Sequence, residues 1–358
     1  MQTIGRAKHR NVNIQWMRSL AALAVAIYHI SHYIAFEFDD RRFADIFDGK
    51  FGLLGVATFF AISGALMADL LHRTPPTLFL AHRLVRIYPL FILVFVIVAF
   101  IRTGELDADV RAMSLALVGT RVVFELNIEW TLVLEVFFYV ILFLLAVATG
   151  ARFVVPFAIA WLAAIGVASI IDPAQMGSTL SPTLLQAFFL PGNAAFAGGL
   201  LIPTILRQGR VQPIWAVIAL GLGAVTMSVD LAYGRIVGSL AAVILVAMVY
   251  GVSTEEPKCG SFGWAAERLG DYSYALYLIH VPVTHLVLAN LQATPAVLWA
   301  ACVGAALAVS VPLGMLDIRL YRRLRKHVDG ANARRLAAVI WLYVAAYIAV
   351  GVIFIFKQ

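Results

Sequence analysis

Charge is what this chain lacks most. Only 13% of its 358 residues are Asp, Glu, Lys or Arg, against roughly 25% in an ordinary soluble domain. With 62% hydrophobic residues and a mean hydropathy of +0.90, a soluble globular fold is excluded. Uncharged stretches of about 20 residues read instead as membrane-spanning helices. Cysteine is nearly absent: Cys302 lies in an apolar run and Cys259 in a loop, so no disulfide framework is implied. The alternating ten-residue pattern of a membrane barrel is missing, which leaves helices to satisfy the backbone inside lipid. Also missing are an internal repeat and any stretch able to stand alone as a soluble domain. The first apolar segment has no small-residue cleavage site and reads as a helix, not a removed signal peptide. The eight histidines lack the spacing to Cys or acids that a metal site requires, and no metal is expected.

What is present is an all-α, polytopic helix bundle. Hydropathy predicts eleven spans, near 17–36, 51–71, 84–101, 129–149, 153–171, 183–206, 212–229, 232–252, 272–291, 296–316 and 336–356. The stretch 110–124 reads as an interfacial or re-entrant piece. With the N-terminus in the cytoplasm, 19 of the 27 Lys and Arg fall on that side. They include Arg6, Lys8, Arg10, Arg207, Arg210 and the group from Arg319 to Arg335. The facing loops are acidic (Glu37, Asp39, Asp40, Asp45, Asp48, Glu105, Asp107, Asp109), the asymmetry of the positive-inside rule. The loop 253–271 dissents, with Glu255, Glu256, Glu267 and Asp271 against Lys258 and Arg268. The formal charge of +7 is thus topology and contact with anionic lipid, not a nucleic-acid footprint. The expected division is a membrane domain over 1–330 and one additional C-terminal helix over 331–358.

Against that apolar background, a few polar residues stand out. Arg18 opens the first span and His29 lies eleven residues on, near the same helix face and about 16 Å further along the axis. An imidazole at that depth is a functional candidate by default. Arg83 and Arg86 lie one turn apart at the start of the third predicted span. There they suit the phosphates of an anion at a helix N-terminus, or equally serve as anchors to lipid headgroups. Glu135 lies about 9 Å below the interfacial Trp130, at a depth compatible with His29, and a His–Glu pair is expected. Ser63-Gly64 in the second span permits close approach of a backbone or a ligand. Ser273, Tyr277 and His280 draw a polar stripe along the ninth. Ser63, Trp130, Tyr277 and His280 are the candidate lining of a substrate pocket.

Together these stretches resemble the acyltransferase-3 family of integral membrane acyltransferases, in particular its exopolysaccharide-modifying branch. The resemblance rests on the Arg18–His29 spacing, FFAISG at 59–64, RLVRIYP at 83–89, WTLVLEVFFY at 130–139 and LGDYSYALYLIHVPV at 269–283, in that order. It implies an O-acyltransferase with acyl-CoA, commonly acetyl-CoA, as cytoplasmic donor. The acceptor it implies is a hydroxyl of an extracytoplasmic or lipid-linked glycan, and the setting a bacterial inner membrane. His29 would be catalytic with Glu135 beside it, and Arg83 and Arg86, with Arg18, would hold the donor. The chain departs from the family pattern at Val136 and Phe137, where an acid and a glutamine are usual, and in carrying an eleventh helix. No fused esterase-like domain is expected. Two other readings stay open on the residues alone. One is a proton-coupled flippase for a lipid-linked glycan, with the histidine and glutamate as a proton relay. The other is acylation of a small molecule.

Overall fold

The computed structural model describes residues 11–104, 109–119, 122, 124–172, 182–208, 212, 214–251 and 261–355. Arg6, Lys8, Arg10, Glu105, Asp107, Arg121, Arg210, Glu255, Glu256, Lys258 and Cys259 lie outside the described residues. Those described form thirteen α-helices: α1 Val12–Phe38, α2 Gly49–Leu71, α3 Pro76–Thr103, α4 Val110–Ser114, α5 Glu129–Thr149, α6 Val154–Ile171, α7 Leu184–Phe189, α8 Ala194–Gln208, α9 Ile214–Ser228, α10 Leu231–Gly251, α11 Ser261–Asn290, α12 Pro295–Asp329 and α13 Ala333–Ile355. There is no strand among them, only an isolated bridge between Val118 and Thr183. Nine described helices are long and apolar enough to cross a membrane. The protein is an integral membrane helix bundle.

Local chemistry starts the helices where it should. Asn11 caps α1 by accepting from the backbone N–H of Asn13 at 3.0 Å, and Asp48 caps α2 by accepting from Lys50 and Phe51 at 2.9 and 3.1 Å. Pro76 sits at the first turn of α3, where its missing N–H is harmless. The helix α5 uses an unusual device. The carboxylate of Glu129, fully buried, folds back to accept from the N–H of Leu126 at 2.7 Å and of Ile128 at 3.0 Å.

Three expected boundaries are corrected. The helix α3 begins at Pro76 instead of 84, α11 at Ser261 instead of 272, and α12 runs on to Asp329 instead of 316. Hydropathy follows the apolar stretch, whereas backbone hydrogen bonding carries a helix on into water. The predicted span 183–206 is broken in two. Pro191 cannot donate, so a 3₁₀ turn at Pro191–Asn193 separates α7 from α8. The side-chain amide of Asn193 then donates to the carbonyl of Ala187. The predicted span 212–229 is the 15-residue α9, about 22 Å long and shorter than a hydrocarbon core of roughly 30 Å. In 110–124, Tyr88 donates to the carbonyl of Ser114 at 2.6 Å, and Leu115 and Leu117 are fully buried. The described residues 110–119 of that stretch turn into the protein.

The helix α1 is wedged between α2, α11 and α12, and α2 lies along α8. This last contact explains Ser63-Gly64 in part. A Cβ on Gly64 would fall on the backbone of Phe196 and Gly199, and one on Gly199 on that of Ala61. Two backbones therefore touch at a crossing that only glycine allows. Beside it an aromatic core fills the space between α2, α5, α6 and α8. Phe138 stacks on Phe196 at 4.1 Å between centroids, and the indole of Trp161 donates to Phe188 O at 2.7 Å. Outward faces, such as Trp341 and Leu342 on α13, are exposed and apolar as a lipid-facing surface requires.

Candidate active site

A cavity of about 160 Å³ opens between α1, α2, α3, α5 and α11. Six of the nine candidate site residues line it, Arg18, Ser63, Arg83, Arg86, Glu135 and Tyr277, and so does Ser273 of the polar stripe. Because α3 starts at Pro76, Arg83 and Arg86 lie two to three turns inside it. The helix-end field invoked for them fades within one turn and does not act there. Their effect is that of guanidinium groups in an enclosed site.

The two arginines are held differently. Arg86 forms an ion pair with Asp317, whose side chain is 3% exposed. Its guanidinium also lies 5.1 Å over the ring of Tyr274 and 5.6 Å over that of Tyr321. Tyr274 is fixed in turn by donating to the carbonyl of Ile87 at 2.8 Å. Arg86 is thus committed. Arg83, one turn away, has its Nε buried with no hydrogen-bond partner. Glu135 accepts from the hydroxyl of Tyr139 in the positive field of Arg83, Arg18 and Arg86. Tyr139 also hydrogen-bonds Ser63. Three guanidinium groups, those of Arg18, Arg83 and Arg86, line the cavity, and such forks suit an oxyanion.

His29 stands elsewhere, and its expected partnership with Glu135 is corrected. No hydrogen bond joins the two. The imidazole of His29 meets that of His280 instead, Nδ1 to Nε2 at 3.0 Å, and the same Nδ1 lies 3.0 Å from the carbonyl of Val25. The proton positions follow from what the neighbours can do. His280 places Nδ1 at 2.8 Å from the carbonyl of Tyr277 and 3.2 Å from that of Leu276, and both can only accept. Its proton is therefore on Nδ1, and its Nε2 is an acceptor. Val25 O is also an acceptor, so neutral His29 carries its proton on Nδ1. The lone pair of His29 Nε2 is left unengaged among the described residues. Tyr28, Tyr33, His32 and His285 gather around this pair, with Tyr33 and His285 4.4 Å apart between centroids. His32 is exposed at the rim.

Tyr277 joins the two regions. Its ring lines the arginine cavity, and its hydroxyl bonds Thr131 at 2.5 Å. Its carbonyl holds the proton of His280. The ring of Phe59, another lining residue, touches it edge-on at 5.9 Å. The polar stripe of α11 therefore does face the bundle interior. Trp130 lies apart from the arginine cavity, on a second and smaller cavity shared with Asn193 and Arg235.

Sequence reasoning passed over Asp317, Tyr139, Asn193 and Arg235. A lone carboxylate at the foot of the apolar run of α12, among basic neighbours, was the available signal for Asp317. Arg235, only four residues beyond Leu231, gives the same kind of signal at the start of α10. Tyr139 and Asn193 carry none, since both look like ordinary packing residues until their neighbours are known.

Compared with known protein families, the chain matches the acyltransferase-3 model, described as an acyltransferase domain, over residues 11–315. No curated protein and no solved structure matches it. The helix α13 lies beyond the matched residues.

Proposed function

The chain belongs to the acyltransferase-3 family and is an integral membrane acyltransferase, and from that premise we propose that its donor is an acyl-CoA, most simply acetyl-CoA, and its acceptor a glycan hydroxyl. The observation that carries this reading is the junction at Tyr277. The arginine-lined cavity connects through Tyr277 and then His280 to His29, whose Nδ1 proton is tied down and whose Nε2 is open.

In this reading Arg83, with Arg18, holds the donor phosphates from the cytoplasmic side. Arg86 shapes the wall and is itself held by Asp317. The slim pantetheine arm passes upward between Phe59 and Tyr277, whose ring contact must open to admit it. The acceptor arrives from the side of Tyr28, Tyr33 and His285. His29 Nε2 takes the proton of the acceptor hydroxyl as its oxygen attacks the thioester carbonyl. A C–O bond forms and the C–S bond breaks. The departing thiolate recovers the proton from the imidazolium. His280 and Val25 O orient the ring and stabilise its protonated form, as the carboxylate does in a triad. Glu135 belongs to the donor side, where with Tyr139 it balances the arginines. The reading extends to a bacterial inner membrane as the setting and a lipid-linked or extracytoplasmic glycan as the acceptor.

The test is calorimetric titration of detergent-purified protein with acetyl-CoA, beside an Arg83→Ala variant. Binding by the wild type that weakens in the variant is the expected result. A folded wild type silent to acetyl-CoA and to longer acyl-CoAs overturns the reading. Arg83 is chosen over Arg86 because loss of Arg86 would strand Asp317 and confuse binding with folding.

A further inference from the structure

Arg86 has Asp317 and Arg102 has Glu125, but Arg235 has no such partner among the described residues. It lies near the start of α10, partly exposed as a residue but with its Nε buried and unbonded, and no ion pair is formed by it among the described residues. A cation in an apolar bundle without a counter-charge is costly and marks a site. A second orphan lies on the same cavity. Asn193 is fully buried at the break between α7 and α8. Its amide Nδ2 is used on Ala187 O, while its Oδ1 has no partner. The cavity thus offers an unmet donor beside an unmet acceptor. A water would answer Asn193 but would leave the charge of Arg235 uncompensated.

We propose that this cavity, walled by Trp130, Asn193 and Arg235, binds an oxyanion that carries a neighbouring hydroxyl. The anionic oxygen accepts from Arg235 and the hydroxyl donates to Asn193 Oδ1. The volume, about 30 Å³, is the space of roughly two waters. It admits the two oxygens that Arg235 and Asn193 would hold and excludes a whole phosphate or a sugar ring, so the ligand reaches in with the edge of an acidic substituent. Val56 and Phe60 form walls of both cavities, which sets the bound anion against the back of the donor site. The cavity lies at the bundle end where α2, α5 and α10 begin, the extracytoplasmic end by the charge asymmetry. Two sources supply such a group: an acidic acceptor, or the headgroup of an outer-leaflet glycerophospholipid. Assigning it to the acceptor rests on the acyl-transfer reading; the binding site does not.

Thermal unfolding in dodecyl maltoside separates the sources. Glycerol phosphate is the soluble probe and phosphatidylglycerol the lipid probe, each added to wild type, Arg235→Gln and Arg83→Ala. Either probe should raise the Tm of the wild type and of Arg83→Ala. Arg235→Gln should bind it about ten- to a hundred-fold more weakly, as expected for loss of a charged hydrogen bond. Without probe, Arg235→Gln should melt at or above the wild-type Tm, because it removes an uncompensated charge. A response to glycerol phosphate assigns the site to a soluble acidic ligand, and a response to phosphatidylglycerol alone assigns it to lipid. No response to either, an equal response in Arg235→Gln, or a clear fall in its Tm without probe overturns the proposal. None of these readouts needs acyl-CoA, so a failed acetyl-CoA titration would remove the acyl-transfer reading and leave this site standing.

Discussion

The arginine cavity and the histidine pair are two buried polar clusters built on opposite plans. In the cavity, charges are compensated by other charges and by rings: Arg86 by Asp317, Tyr274 and Tyr321, and Glu135 by Tyr139 and the arginine field. In the histidine pair no carboxylate among the described residues is hydrogen-bonded to either ring. Each proton is fixed by acceptors alone, Val25 O and His280 Nε2 for one ring and two backbone carbonyls for the other. Permanent charge is suited to holding an anion, and a neutral base with one free lone pair is suited to moving a proton. In the proposed reading, binding and chemistry are kept apart in this bundle and are joined through Tyr277 and His280.

That separation can be broken from either side. The largest effect is expected for His29→Ala, which should lower kcat by about 10²- to 10⁴-fold while calorimetry finds acetyl-CoA affinity unchanged. Loss of affinity together with kcat would merge the two regions. Asp317→Ala should act in the opposite sense, through folding. It strands the buried guanidinium of Arg86 and is expected to cost about 3–5 kcal/mol of stability, read by chemical denaturation. Replacing both partners, Arg86→Met with Asp317→Leu, should recover most of that loss. Arg83→Ala should raise the KM for acyl-CoA by about tenfold or more, the size of a charged hydrogen bond, with kcat and Tm nearly unmoved. An unchanged KM would return Arg83 to the role of a lipid anchor. The smallest effect is expected for His280→Phe. It removes one acceptor of the His29 Nδ1 proton and leaves Val25 O, and the single bond lost is worth about 1 kcal/mol, or about a fivefold fall in kcat. A loss as large as that of His29→Ala would make His280 the base instead.

The candidate site was partly legible before the fold was known. Arg18, Ser63, Arg83, Glu135 and Tyr277 were visible because a polar residue in an apolar run needs a reason, and all five line one cavity. Asp317 escaped because the span was ended at 316, one residue too soon. Arg235 escaped because a cation near a helix end reads as an interfacial anchor until its surroundings are seen. Asn193 and Tyr139 escaped because their importance lies in what they do or do not bond. The break at Pro191 was visible in principle, but an apolar run on both sides concealed it.

Composition and hydropathy by themselves determined that the chain is a helical membrane bundle, and motif order pointed to the family that the match over residues 11–315 establishes. These are properties of runs of residues, and lipid enforces them locally by requiring every backbone group to be bonded within its own segment. Which polar groups meet was decided only by the tertiary structure. His29 and His280 are 251 residues apart in sequence, and Glu135 lay at a depth equally open to His29. Depth along the membrane is set by counting residues. Facing is set by how each helix is rotated and crossed against its neighbours, and a rotation of one residue turns a side chain by about 100°. Contacts such as Gly64 against Gly199 and the wedging of α1 between α2 and α11 fix those rotations. They gave the histidine a second histidine and left the glutamate among the arginines.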